Sequence, residues 1–465
     1  MAQSPELGTP LWWVLRLERK RQDNTRRLDT LNAYSTGDHP LPEGDDRARE
    51  LFRSFQRKAR TNYCGLVASS VAERLQVDGF RSGSTGNAAS DNVAWQIWQD
   101  NSLDADAELV HAAALTFSEA YVLVGVEDGK PVVSVEDPRY VAVELDPLNR
   151  RRMIAGVKTW IDDLADEKRA VLYLLHSVHY FTAPQPTYVG QALEWRETSA
   201  DFTGDPAPEA NPLGELPLVR FINRPQLDGG GLGEFEDAID IQDRINNVTL
   251  DRLVIAKLQA YRQRWIKGMP SEDEDGNPLD LPFVPGVDML WSVDADPGDV
   301  EFGEFAQVDL RPLLEAARDD VTSFITLTGL PPHYVAGDLV NASADALAAA
   351  EARLVAKVKA RQRIFGGSWE RVINLAARWL NLDLPPDTEI IWADPERKTD
   401  AQLADAAVKK QAAGVPWRQR MEDLHYSPAQ IDRMETDRAA DTLLAFSSAP
   451  PRPQPSPANA PAAPA

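Results

Sequence analysis

The chain has 465 residues, 43% of them apolar, and a formal net charge of −23. That length suits several units of ordinary domain size, about 100–200 residues each. The acidic balance argues against a general nucleic-acid binder, which shows a basic face. A single cysteine, Cys64, excludes an internal disulfide and a cysteine-rich zinc site.

The apolar run Leu11–Leu15 is too short for a signal-peptide core, and the basic stretch Arg16–Arg27 follows it instead of preceding it. No segment approaches the roughly 18 apolar residues that span a bilayer. The expectation is a soluble protein with no membrane partner, made in a cytoplasm.

The first 80 residues read as mostly helical, with apolar positions at Leu51, Phe55, Leu66, Val67, Val71 and Leu75 and a stop at Asp78-Gly79. A Gly/Ser loop spans 82–89, a helix starts near Asp91, and another runs over 107–117. Tyr121–Val124 and Pro131–Val135 are strands joined at Asp128-Gly129, a strong hairpin signal. Further strands are expected over 154–161, 170–175, 178–181 and 218–221, after a Pro/Gly-rich loop at 198–217. Residues 1–225 thus form an α+β unit.

After the glycine run 229–233 the pattern turns helical, with Ile241, Ile245, Val248 and Ile255 on one face. This helix is expected to reach Lys267, roughly 45–50 Å of length. Residues 268–310 hold twelve acids, no lysine or arginine, and prolines at 270, 278, 282, 285 and 297. They read as a strand-and-loop excursion. Leu310, Leu314, Ala317, Val321 and Phe324 mark a second amphipathic helix, which Pro331 and Pro332 end.

Asn341 or Ser343 can cap the next helix, which Gly366-Gly367 is expected to break. Ser368 can cap another that carries Trp369, Val372, Ile373, Ala376 and Leu380 on one face. Thr388–Trp392 is a short strand. Three compact helices follow, opened at Thr399, Pro416 and Ser427-Pro428, the first closed by Gly414. The proline-rich end, 447–465, has no aromatic residue and reads as disordered.

These pieces, in this order, resemble the portal proteins of long-tailed double-stranded DNA bacteriophages, above all those of phages of actinobacteria. The resemblance is carried by Leu31–Leu41, "LQVDGF" (Leu75–Phe80) and "WQIWQDNSLDAD" (Trp95–Asp106). It continues through "IQDRINNVTLDRL" (Ile241–Leu253), "LTGLPPHYVAG" (Leu327–Gly337), "NASADAL" (Asn341–Leu347) and "IIWADPERKTDAQLADA" (Ile390–Ala406). One departure is local: members of that family more often carry glycine where Ser118 or Glu119 stands.

The resemblance implies an α+β portal fold. Its parts would be a wing over 1–233, stem helices over 234–267 and 309–327, and a small α/β clip over 268–308 between them. A tunnel loop over 328–343, further wing or tunnel helices over 344–395, a crown over 396–446 and the tail 447–465 complete it. It also implies a homo-oligomeric ring, usually a dodecamer, through which double-stranded DNA passes without sequence specificity. The implied partners are the terminase, a head-completion adaptor, and the major capsid and scaffold proteins.

Three groups of residues are candidates for that work. The clip acids are Glu272, Asp273, Glu274, Asp275, Asp280, Asp288, Asp294, Asp296, Asp299, Glu301 and Glu304. They can repel phosphates and let the duplex slide, dock a basic partner, or simply be solvated. Arg353, Lys357 and Arg361 form a stripe at helical spacing, with Lys359 and Arg363 beside it. The stripe can touch DNA transiently or pair with acids of a neighbouring subunit. The tunnel-loop candidates are His333, Val335, Gly337, Asp338, Leu339, Val340 and Asn341, with one formal charge among them.

Enzyme-like features are weak. The Gly229–Gly233 run invites a phosphate-loop reading but fits neither GxxxxGK[ST] nor a full GxGxxG. His176 and His179 would face opposite sides of a strand. Asp237, Asp240 and Asp243 more readily form a solvated face or pair with Arg244 than hold a metal. No nucleophile–base spacing exists among six histidines and one cysteine, so no catalysis, cofactor or metal is expected. Trp12, Trp13, Trp95, Trp98, Trp369 and Trp379 are expected as core or interface anchors. The other readings open at this point are a smaller head–tail connector and a nucleotide-dependent enzyme using the glycine run.

Overall fold

The computed structural model describes residues 5–43, 49–82, 88–188, 191, 193–260, 264–268, 301–304, 308–336, 344–396, 400–424, 426 and 428–447. The first helix, α1 (Pro10–Thr36), has Thr9 at its N-cap, where the hydroxyl accepts from the Trp12 amide, and proline in its first turn. Gly37, at φ 80°, closes it in the left-handed conformation. The expected helical stretch ending at Leu75 is two helices, α2 (Arg49–Ala59) and α3 (Tyr63–Ala72). Asn62 separates them and caps α3 by accepting from the Gly65 amide. Asp78-Gly79 is not a stop: it lies in strand β1 (Val77–Ser82), at a register shift.

Helices α4 (Ala88–Asp100) and α5 (Leu103–Phe117) lead into the hairpin of β2 (Glu119–Glu127) and β3 (Lys130–Glu136). Asp128 and Gly129 both have positive φ, as a two-residue hairpin turn requires. An antiparallel meander follows: β4 (Val141–Leu145), β5 (Met153–Asp162), β6 (Glu167–Leu174), β7 (Ser177–Pro184) and β8 (Arg196–Thr198). The short β9 (Glu209–Ala210) pairs with β7, and β10 (Leu218–Ile222) returns to pair with β2. Helix α1 packs its Val14 and Leu17 on the meander, against Ala155, Val157, Leu172 and Phe181.

A 3-10 turn, Glu236–Ala238, opens α6 (Ile239–Ala260). The expected helix to Lys267 is thus too long. Arg264–Lys267 is strand β11, paired with β12 (Glu301–Glu304). The Trp265 ring lies where a Cβ on Gly303 would stand, so ring and glycine interlock across the hairpin. Helix α7 (Arg311–Thr328) runs back antiparallel to α6: Arg244 meets Asp320 at 2.6 Å near one end, and Gln259 donates to the Val308 carbonyl at the other. Gly329, at φ 73°, caps α7 just before the two prolines. Leu314 is off the buried face expected for it and is 38% exposed, whereas Phe324 is fully buried.

After α8 (His333–Ala336) comes α9 (Ala344–Trp379), an unbroken helix of 36 residues. Gly366-Gly367 does not interrupt it. A Cβ at Gly366 would press on Ile390 at 3.2 Å, so the glycine lets β13 (Thr388–Trp392) lie close on the helix. Strand β13 pairs with β1, more than three hundred positions away in the chain. Helices α10 (Asp400–Ala412), α11 (Trp417–Glu422) and α12 (Pro428–Ser447) end the described chain, with Gly414 at φ 80° after α10.

The core lies where α3, α4, α5, β2, β10 and α9 meet. Trp98 and Trp369 cross edge to face with centroids 4.8 Å apart, and Phe221 stands in the same relation to Trp369. His111 lies flat against Phe365 and accepts from the Trp369 indole at 2.9 Å. Burial pulls its pKa down to about 3, so it is neutral.

Candidate functional site

The root of the α6–α7 pair is held by polar contacts. Tyr34 donates to Asp243 at 2.7 Å, and the Asn246 amide oxygen accepts from the amide and hydroxyl of Thr61. The Gln242 carbonyl oxygen accepts from the Tyr63 amide. His39 stacks on Tyr34, 4.6 Å between rings, and contacts Asn246 at 2.9 Å. These bonds fix α6 to α1 and α3 beside the buried Ile245 and Phe324. They also settle the aspartate trio. Asp243 holds Tyr34, Asp237 pairs with Arg224 at 2.5 Å, and Arg244 goes to Asp320 instead. No cluster fit for a metal ion occurs among the described residues.

The second anchor is Glu234, whose side chain is 1% exposed. It accepts from Lys357 at 2.9 Å, Arg361 at 3.0 Å and Asn223 at 3.0 Å. Burial raises a carboxyl, but the two cations more than offset it, and Glu234 sits below the usual carboxylate range. Burial pulls the Lys357 ammonium down, and Glu234 opposes only part of that.

The basic stripe therefore turns inward. Lys357 and Arg361 were expected to face DNA or a neighbouring subunit; their first partner is a carboxylate of their own chain. Lys357 also donates to the Thr328 carbonyl and Arg353 to that of Thr326 at 2.5 Å. The stripe thus covers the free carbonyls and negative dipole end of α7. Lys359 and Arg363 stay exposed on the other side of α9.

Two tunnel-loop candidates point into the protein. His333 lies 3.4 Å from Glu351 and packs on Tyr334, and Val335 rests on the core. Arg74 clamps this corner, donating to Tyr334 and to Glu351. Gly337, Asp338, Leu339, Val340 and Asn341 lie outside the described residues, as do the helix caps expected at Ser343 and Thr399. So do nine of the clip acids: Glu272, Asp273, Glu274, Asp275, Asp280, Asp288, Asp294, Asp296 and Asp299. Glu301 and Glu304 are on β12, and Glu301 pairs with Lys267 at 3.2 Å, both side chains exposed.

The glycine run is a packing device. A Cβ at Gly231 would stand 2.6 Å from the Ser118 carbonyl and 2.7 Å from that of Asn223; one at Gly233 would stand 2.8 Å from the Thr116 carbonyl. These glycines let the strand-to-helix crossing touch the end of α5, where Ser118 itself has φ 74°. A left-handed backbone at this position favours glycine over serine. His179 is buried between Ser177 and Glu197, and His176 precedes the strand. The Glu234 anchor was not among the expected site residues; an acid right after a glycine run gives no periodic signal.

The sequence matches the profile of the family described as "Phage portal protein, SPP1 Gp6-like" over residues 16–440. It is 31% identical over 402 residues to the portal protein of Mycobacterium phage D29, covering 81% of this chain and 78% of that protein. Identity to the portal protein of Mycobacterium phage L5 is 29% over 405 residues, covering 82% and 78%. Among solved structures, the chain resembles one in the neck of an empty GTA particle, with TM-score 0.44, 14% identity, and 80% and 90% of the two chains covered. A chain of the virion of a native gene transfer agent gives TM-score 0.41 at 15% identity, over 80% and 90%. With the profile spanning all but the two ends of the chain, from within α1 to within α12, this chain belongs to the phage portal protein family.

Proposed function

We propose that copies of this chain close into a ring, a dodecamer as the family implies, that serves as the DNA channel at one capsid vertex. Genomic DNA enters through it during packaging and leaves through it at infection. The observation that carries this reading is the family match over residues 16–440. Family relatives with this name are structural proteins, and the reading asks no bond-making chemistry of the chain.

Within the ring, α6 and α7 form the stem and the β11–β12 hairpin the base of the clip. The acids between the two strands supply like charge that keeps phosphates from sticking. The terminase docks there during packaging, and a head-completion adaptor takes its place afterwards. The wing meets capsid and scaffold proteins, during assembly in the host cytoplasm and then in the virion. The tunnel loop proposed over 328–343 is the part that serves the passing DNA. Lys359 and Arg363, exposed on α9, are the remaining candidates for brief phosphate contacts or for a neighbouring subunit.

Native mass spectrometry with negative-stain imaging of the purified protein tests this. A ring of about a dozen copies with a hole wide enough for duplex DNA is the expected result. A folded monomer or dimer that persists at high concentration with scaffold present would overturn it.

A further inference from the structure

A cavity of about 190 Å³ opens at the meeting point of three parts: the residues after β10, the C-terminal end of α7, and α9. Arg224, Lys357 and Arg361 supply three positive charges to its wall, and Glu234 and Asp237 supply two negative ones. Both carboxylates are already engaged, Glu234 with two cations and Asp237 with Arg224. Arg353, one helical turn before Lys357, is exposed and donates to the Thr326 carbonyl. The lining thus carries one more positive than negative charge, and Arg224 and Asp237, 29% and 47% exposed, leave it open to a charged partner.

The Arg224 backbone sits at φ 45°, a conformation costly for a side-chain-bearing residue. It is held by the bond from its guanidinium to the Gly233 carbonyl at 3.1 Å, which aims the group at the cavity. Leu327, 47% exposed, stands at the rim. The cavity is therefore reachable from outside the subunit.

We infer that this cavity receives one carboxylate side chain from a second copy of the chain, seated between Arg224 and Lys357. The volume suits one carboxylate and a short stem, not a nucleotide. The donor is argued from charge: the chain carries 72 acids against 49 bases, so any second copy offers carboxylates in excess. Like-charged subunits must also spend their few cationic sites on contacts between them if they are to associate. This inference rests on the ring reading above, and it assigns one contact within the ring.

The test is carbodiimide coupling of assemblies made from an equal mixture of 15N-labelled and unlabelled full-length chain. Native mass spectrometry first verifies rings of mixed isotope content. The reagent joins an amine to a carboxylate in contact, so Lys357 reports directly. The expected result is a cross-linked peptide pair with Lys357 in one isotope and a carboxylate residue in the other, besides the Lys357–Glu234 pair within one chain. Arg224→Lys, which keeps the charge and adds an amine, should give a second mixed pair at position 224. Arg224→Gln should lower the salt concentration at which rings dissociate.

Mixed rings in which Lys357 and the introduced lysine couple only within their own chain would overturn this contact and leave the ring reading standing. So would a rise in melting temperature with millimolar phosphate, absent in Arg224→Gln, without any mixed pair; the cavity would then hold a free oxyanion. The absence of any assembly at high concentration with scaffold present would overturn the ring reading and this inference with it.

Discussion

The part proposed as the wing and the root of the proposed stem are held by different mixtures of contacts, the root adding hydrogen bonds to its buried Ile245 and Phe324. In the wing, Trp98, Phe221, Phe365 and Trp369 are fully buried and meet ring to ring. At the root of α6 and α7 the links are polar: Asp243 to Tyr34, Asn246 to Thr61, Glu234 to Lys357 and Arg361. Farther along the pair, Val308 and Leu314 stay exposed. Apolar burial needs no particular angle, whereas a hydrogen-bonded joint fixes direction. The proposed wing thus closes its core within the subunit, and the α6–α7 pair leaves Val308 and Leu314 uncovered.

Trp369→Ala strikes the wing side of this comparison and should cost the most, about 3–5 kcal/mol, because a large buried ring is lost and its space does not collapse. The loss is read as a lower midpoint in urea unfolding. Glu234→Ala strikes the root. It leaves Lys357 and Arg361 as buried cations without a carboxylate and should cost about 3 kcal/mol. A double variant, Glu234→Ala with Lys357→Met, should recover part of that loss. Recovery of nothing would mean that the glutamate acts through packing rather than charge.

These two anchors differ in how far they were legible in the sequence. Trp369 sits in a helical apolar pattern and was expected to be an anchor. The hairpin at Asp128-Gly129 was equally plain, because positive-φ positions favour glycine. The end of α7 was expected from Pro331 and Pro332, and Gly329 closes the helix just before them. Gly366 misled, since glycine in a helix signals either a break or a close neighbour, and the neighbour here, β13, joins β1 across almost the whole chain. The end of α6 misled too: Arg264–Lys267 continues a plausible helix until its partner strand at 301–304 is known. The inward turn of Lys357 and Arg361 depends on Glu234, more than a hundred residues earlier. Local pattern finds elements; it does not find which charge they turn toward.

Burial of His111 gives the core a pH dependence in the histidine range, and His39 at the root of α6, its pKa also lowered by burial, adds to it in the same direction. His111 is neutral in the fold, with its pKa held at about 3 by burial. Unfolded, it titrates near its ordinary value of about 6.5. Below that value the unfolded chain takes up a proton that the folded chain refuses. The stability contribution is therefore full above about pH 6.5 and falls as the pH drops, by about 2 kcal/mol at pH 5. Glu234 and Glu18, whose pKa values are lowered, add their loss only when the pH falls through the carboxylate range. Unfolding midpoints at pH 7 and pH 5, compared between the natural chain and His111→Gln, isolate the histidine. An unchanged difference in the variant would refute the assignment.

A smaller effect is expected where α5 ends. Ser118 holds φ 74° and pays steric strain that glycine avoids. Arg27 donates to its hydroxyl at 3.3 Å, a long bond that returns little. Ser118→Gly should stabilise the subunit by about 0.5–1 kcal/mol, read as a higher melting temperature. A lower one would mean that the Arg27 contact outweighs the strain.

The smallest effect on the subunit should come from Leu314→Ser, and it separates the two regions most directly. Leu314 is 38% exposed on α7, so its removal uncovers no cavity and should change subunit stability by less than about 0.5 kcal/mol. Under the ring reading the same side chain is buried against a second copy, and each subunit of the ring loses that burial at once. Assembly should then require a higher protein concentration although each subunit unfolds at the same urea midpoint. Trp369→Ala should show the reverse, with subunits unfolding early whether or not they are assembled. If Leu314→Ser instead lowers the urea midpoint and leaves assembly unchanged, α7 packs within its own subunit more completely than its exposure indicates. The contrast between a closed wing and an open stem would then fail at the stem.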